Sequence, residues 1–97
     1  MTFTITPEAR RDLDDIWEYT ARRWNVDQAD EYISSFVETL NDLADNTIHG
    51  RKVDFLLLGY FKYPIGSHVA YYRFQSNVLD LVRVLHKRMD ASRHIDS

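Results

Sequence analysis

The stretch RVLHKRMDASRHI, Arg83 to Ile95, packs two histidines, three arginines and a lysine into thirteen residues. These are the residue types that metal-free phosphodiester cleavage needs. One group must act as base toward a 2′-hydroxyl, another as acid toward the leaving oxygen, and cations must balance the charge of the phosphorane. His86 or His94, with Lys87, Arg88 and Arg93, supply those types. The same side chains equally suit a docking surface that performs no chemistry. Composition favours docking. The chain has 12 basic and 15 acidic residues, a net charge of −3, whereas an enzyme working on an RNA backbone gains from a basic surface.

Other chemistries find less support. His49, His68, His86 and His94 are scattered, with no i, i+4 pair on a helix, so no metal is expected. The three glycines, Gly50, Gly59 and Gly66, form no phosphate loop. No cysteine is present, which removes thiolate catalysis, thiolate metal sites and disulfides, and fits a reducing compartment. Ser92 lies near His94, yet the sequence offers it no orienting carboxylate or oxyanion hole. No cofactor is expected.

The charge is unevenly distributed. Residues 1–50 carry four arginines against eleven acids, and residues 51–97 carry eight basic residues against four aspartates. A basic second half favours an acidic partner, although a helical half rich in solvated acids would leave the same imbalance. With 97 residues, 44% of them hydrophobic, the chain suits a single domain, 1–97, with one core. The start MTFTITPEARRDL does not resemble a secretory signal. The apolar run FLLLGYF is far shorter than the roughly 20 residues of a membrane helix. A cytoplasmic location is expected.

The elements that must position these residues follow from periodicity. Thr2–Thr6 alternates as a short strand. Thr6 then suits a helix N-cap, with Pro7 at the first helical position and Glu8 facing the N-terminal dipole. Ala9, Leu13, Ile16, Trp17, Thr20 and Trp24 share a face of a helix running to about Arg23. Asn25 and Gln28 have the form of a capping box. Ala29, Tyr32, Ile33, Phe36, Val37, Leu40, Leu43 and Ala44 mark a second helix, which ADNTIHG ends at turn-formers and Gly50. So short a connection makes the helices antiparallel neighbours. From Asp54 onward the pattern is β, in strands divided at IGS and QSN, with Pro64 expected near the end of its strand. The strict alternation of VLDLVRVL puts Leu79, Leu81, Arg83 and Leu85 on one face, with Val78, Asp80, Val82 and Val84 on the other.

These elements make a two-layer α+β domain, in which an antiparallel helical hairpin and an N-terminal strand join a mostly antiparallel β-sheet. One hairpin covers one sheet face. The second face is apolar too, and a partner is expected to cover it.

In this order and spacing, TPEARRDLDDIWEYTARRW, QADEYISSFVETLNDLADN, YPIGSHVAYYRF and VRVLHKRMDASRHI resemble the ParE toxins of the ParE/RelE toxin–antitoxin superfamily over nearly the whole chain. The resemblance implies a RelE-like fold. It also implies a toxin that stabilises a cleaved-DNA complex of DNA gyrase, blocks replication, and is neutralised by a ParD-type antitoxin in a hetero-oligomer. RelE-type ribonucleases carry an arginine early in the middle strand, and here Val69 takes that place, an alkyl group unable to stabilise a phosphorane. Arg88 matches the arginine after the last strand. His94 stands where RelE has its catalytic tyrosine, and Ile95 follows where YoeB-like relatives have a tyrosine.

A gyrase poison that performs no catalysis is therefore expected. A metal-independent mRNA endoribonuclease using Arg88 and His94 is the alternative. Target contacts are expected from His86, Lys87, Arg88, Met89 and Arg93, with Met89 and Ile95 packing the tail onto the domain. Antitoxin contacts are expected from Leu13, Trp17 and Trp24 at the hairpin and Tyr60, Tyr71 and Arg73 on the sheet.

Overall fold

Thr6 is the point where the chain changes from strand to helix. The computed structural model describes residues 3–53 and 59–95. In it, strand β1 spans Phe3–Ile5 and helix α1 spans Pro7–Arg23. The Thr6 hydroxyl accepts from the Ala9 amide at 3.1 Å and donates to the Val82 carbonyl at 2.8 Å. One side chain thus caps the helix and ties it to the sheet. Thr2, expected to open the strand, and Asp54–Leu58, expected to open the β half, lie outside the described residues.

Helix α2 spans Val26–Ala44, and the Asn25 side chain accepts from the Gln28 amide at 2.7 Å. The stop lies before Gly50. Asn46 takes a left-handed conformation, φ 61°, just past the last turn, a position where asparagine substitutes for glycine. Gly50 serves a different purpose. Its amide donates to the Tyr72 hydroxyl at 2.9 Å, and a Cβ there would lie 2.2 Å from that oxygen. Only glycine lets the backbone come so close.

The sheet contains β2 (Arg51–Lys52), β3 (Tyr60–Ile65), β4 (His68–Gln75) and β5 (Val78–His86), in the order β1-β5-β4-β3-β2. β1 runs parallel to β5, and the other pairs are antiparallel. Two-residue turns set the registers, Ile65 opposite His68 and Gln75 opposite Val78. Gly66 has φ 58°, and Ser76 and Asn77 have φ 52° and 66°, which gives hairpins of the II′ and I′ kinds that follow the sheet's twist. Pro64 is the penultimate residue of its strand, beyond the reach of two-residue β2, where no ladder bond is lost.

The strict alternation expected for the last strand does not hold. Tyr72 pairs with Leu81 but Tyr71 pairs with Arg83, so Val82 is an extra residue in β5, a bulge. Side-chain direction reverses across it. Leu79, Leu81 and Val84 join the core under the helices, with Ala9, Ile16, Phe36, Leu40, Leu43 and Tyr72. Leu85, expected beside Leu81, instead joins a second cluster with Val53, Tyr60, Tyr71, Ala91 and Ile95.

That second cluster also corrects the expectation of an uncovered face. After β5 the chain turns back, and a short 3₁₀ turn, Ala91–Arg93, lays Ala91 and Ile95 on the outer side of the sheet. The tail itself closes part of the face assigned to a partner. Met89, expected to pack beside Ile95, is exposed, while Ile95 is buried.

Candidate functional site

Two places concentrate functional groups, a groove beside the hairpin and the basic tail, and they meet at His86.

The groove, about 530 Å³, is lined by Asp15, Ile16, Tyr19, Thr20 and Trp24 along α1, by Gln28 and Tyr32 of α2, and by Ser67, His68 and His86 of the sheet and its turn. Tyr19 and Trp24 leave 65% and 56% of their surfaces exposed along it. Trp24 falls at the C-cap of α1, just where the helix stops burying its stripe. Tyr32 is fixed more tightly. Its hydroxyl accepts from the Ser67 amide at 3.0 Å and lies 2.8 Å from His68 Nδ1 and 3.2 Å from the Ile65 carbonyl. His68 and His86 are register partners across β4 and β5, with ring centroids 5.3 Å apart and planes nearly perpendicular. Burial, with the nearby His86, lowers the His68 pKa against the opposing pull of Asp12. A neutral imidazole is thus favoured on the groove floor.

This Tyr32–His68–His86 set was not foreseen. The residues lie 36 and 18 positions apart along the chain, and only the alternation of β4 and β5 about their turn hinted that the two histidines would pair.

The tail begins where the groove ends. His86 Nδ1 accepts from the Arg88 amide at 3.2 Å, and the Lys87 amide donates to Ser67 O at 3.0 Å. Lys87, Arg88, Met89, Arg93 and His94 are exposed. Asp90 accepts from the amide and hydroxyl of Ser92 at 3.1 and 2.8 Å and caps the 3₁₀ turn. Those bonds, with Arg93 3.9 Å away and His94 nearby, hold its carboxyl below the usual range. Among the described residues neither Lys87 nor Arg88 forms an ion pair, so both cations face solvent.

A third arrangement braces the tail. β1 pairs only with Leu79–Leu81, which leaves the edge of β5 bare beyond that point. Asp12 of α1 fills the gap. Its carboxylate accepts from the Val84 amide at 2.9 Å and takes a two-pronged pair from Arg83, Nε at 2.7 Å and Nη2 at 3.0 Å. The remaining nitrogen, Nη1, donates to the His94 carbonyl at 2.7 Å. The Asp12 pair, partly offset by burial, raises the Arg83 pKa above its already high value.

The residues expected to meet an antitoxin are thereby sorted. Trp24 faces the groove. Leu13 packs against the main core, and half-buried Trp17 donates its indole N–H to Asp30 at 2.8 Å, joining the two helices. Tyr60 and Tyr71 are buried in the second cluster. Arg73 lies 5.4 Å over the Tyr60 ring and 3.8 Å from Asp80, its Nε buried without a hydrogen bond. Val69 packs against the second cluster, in apolar surroundings. Among the described residues no group of three or more His, Cys, Asp or Glu could hold a metal ion, and no helix is long and apolar enough to cross a membrane.

A family model described as the ParE toxin of type II toxin-antitoxin system, parDE, matches residues 3–91. The chain is 38% identical over 94 residues to Toxin ParE1 of Mycobacterium tuberculosis (strain CDC 1551 / Oshkosh), with 96% of each chain covered. It is 37% identical over 93 residues to Toxin ParE1 of Caulobacter vibrioides (strain ATCC 19089 / CIP 103742 / CB 15), again covering 96% of both. Among solved structures, a chain of the chromosomal ParDE TA system from P. aeruginosa superposes with a TM-score of 0.75 at 20% identity, covering 89% of this chain and 95% of that one. The YoeB dimer from Staphylococcus aureus gives 0.61 at 18%, with the same coverage. At such identities the structural likeness speaks for the fold alone, which is RelE-like.

Proposed function

The chain belongs to the ParE toxin family of type II toxin–antitoxin systems, and from that premise we propose that it poisons DNA gyrase and is held inactive by a ParD-type antitoxin. The observation that carries the choice of target over RNA cleavage is Val69. By the resemblance it takes the place of the RelE-type arginine, and it is partly buried against the cluster of Tyr71 and Leu85. A phosphorane placed there would meet alkyl and aromatic groups, and charge stabilisation is the largest part of such catalysis. Arg88 and His94 lack the partner on the sheet that the ribonuclease reading needs.

Lys87, Arg88 and Arg93 then act by docking on the gyrase–DNA assembly, where exposed cations steer encounter and position the complex. The antitoxin enters through the groove, where Tyr19 and Trp24 offer aromatic surface to an apolar helix face. The surplus base of residues 51–97 suits an acidic segment where it leaves the groove, whose own lining holds Asp15 and no Lys or Arg.

Purified toxin should inhibit gyrase supercoiling and raise the yield of cleaved DNA, and a ParD-type antitoxin should reverse both. If induction instead halts translation while supercoiling is untouched, the chain is a ribonuclease of the RelE kind.

A further inference from the structure

We propose that Arg83, braced by Asp12, is a positioning residue that fixes the pose of the basic tail, and with it toxicity, without meeting the target itself. The proposal rests on the reading of the tail as the target-binding element.

The exposed cations lie on a segment held at both ends. At its start the Lys87 amide is bonded to Ser67, and at its finish the His94 carbonyl is bonded to Arg83 at 2.7 Å. Between these points Ala91, and just past them Ile95, reach the second cluster. No regular strand or long helix holds this segment, so its order depends on few contacts. Each one removed lets the tail sample other poses, and ordering it again on binding would weaken affinity.

The geometry explains why arginine stands at position 83. A guanidinium can place two nitrogens on two carboxylate oxygens and still present a third N–H in the same plane. With Nε and Nη2 locked on Asp12, Nη1 is aimed at His94 O. Asp12 is in turn fixed by the Val84 amide at the bare edge of β5. The bulge at Val82 takes part as well, because it sets the direction of Arg83 relative to the strand edge. Neither Asp12 nor Arg83 lines the groove, so the brace and the antitoxin site are separable.

The test is Arg83→Lys in the full chain. A lysine keeps the cation beside Asp12, but its single ammonium is too short to satisfy the carboxylate and His94 together. Four quantities are measured: melting temperature, antitoxin affinity, hydrogen exchange at the Ile95 and Leu81 amides, and colony formation after induction. We expect melting within about 10 °C of the parent, the shift that a tenfold loosening carries in a domain of this size, and antitoxin affinity within about twofold, since the groove does not depend on the His94 bond. Exchange at Ile95, whose amide bonds Ala91 O, should quicken at least about tenfold while Leu81 is unchanged. Toxicity should fall at least about tenfold with it.

Full toxicity with a freed tail, or lost toxicity with a tail still protected, overturns the proposal. Should Arg83→Lys unfold, as quickened exchange at Leu81 would reveal, Asp12→Asn is judged by the same criteria. That variant keeps one acceptor for the guanidinium. The triple change Lys87→Ala, Arg88→Ala, Arg93→Ala tests the underlying reading separately. If the triple variant stays toxic, docking by the tail is wrong. If it is harmless while Arg83→Lys kills with a freed tail, docking stands and positioning by Arg83 falls.

Discussion

The two faces of the sheet are closed by very different amounts of chain. Under α1 and α2, a continuous core runs from Ala9 through Phe36 and Leu40 to Leu79, Leu81 and Val84. On the outer face, one 3₁₀ turn and Ile95 lie over Tyr60, Tyr71 and Leu85. The first face is held by two capped helices, the second by a few contacts and the Arg83 brace. Stability and function are thereby divided. On the proposed reading, the region that presents cations to a partner is drawn from the weakly held part of the fold, where local opening costs little.

The largest expected effect lies on the helical face. Leu81→Ala, at a fully buried site, should cost about 3–5 kcal/mol, measured by denaturant unfolding. A loss no larger than that of Ile95→Ala would erase the contrast between the faces. Ile95→Ala should itself cost about 2 kcal/mol, at the low end for its kind because an end segment relaxes into the vacated space. Its loss of toxicity should be disproportionate, while antitoxin binding persists.

At the groove the effect on folding should be smaller still. Trp24→Ala removes a side chain already 56% exposed and should change stability by only about 0.5 kcal/mol. Antitoxin affinity, measured calorimetrically, should drop at least about tenfold, since exposed aromatic anchors carry much of a binding energy. An unchanged affinity would move the antitoxin site elsewhere.

The smallest effect is that of pH on His68. Its pKa is lowered in the folded chain, so below about pH 6.5 the unfolded chain binds more protons than the folded one. His68 therefore contributes full stability above that value and loses it as pH falls through the lowered folded pKa. The melting temperature should decline across that window, and His68→Gln should flatten the decline.

Much of the fold was legible in the residues. Thr6-Pro7 and Asn25 announced both helix starts, their 3.6-residue stripes gave the buried faces except at Trp24 and Val37, which are exposed, and IGS and QSN marked the two hairpin turns. Each of these signals is local, within a turn or two of the chain. The charged ending also stood out by composition, and the order of motifs along the chain is that of the ParE toxin family, whose model matches residues 3–91.

What the sequence left undetermined involves residues far apart along the chain. No local pattern places an extra residue at Val82, because a bulge is fixed by the fit of one strand to its neighbour. That single residue moved Leu85 to the outer face and Val84 to the core, and the pair of Arg83 with Asp12 joins residues 71 positions apart. Gly50 read as a helix stop, yet its small size is required by the hydroxyl of Tyr72. His68 and His86 seemed unrelated until antiparallel register set them side by side beneath Tyr32. Residue types and periodicity determined which elements form and which stripes they bury. Register, edge and bulge decided which side chains meet, because those meetings depend on where strands stop and slip against one another, and only the closed sheet fixes that.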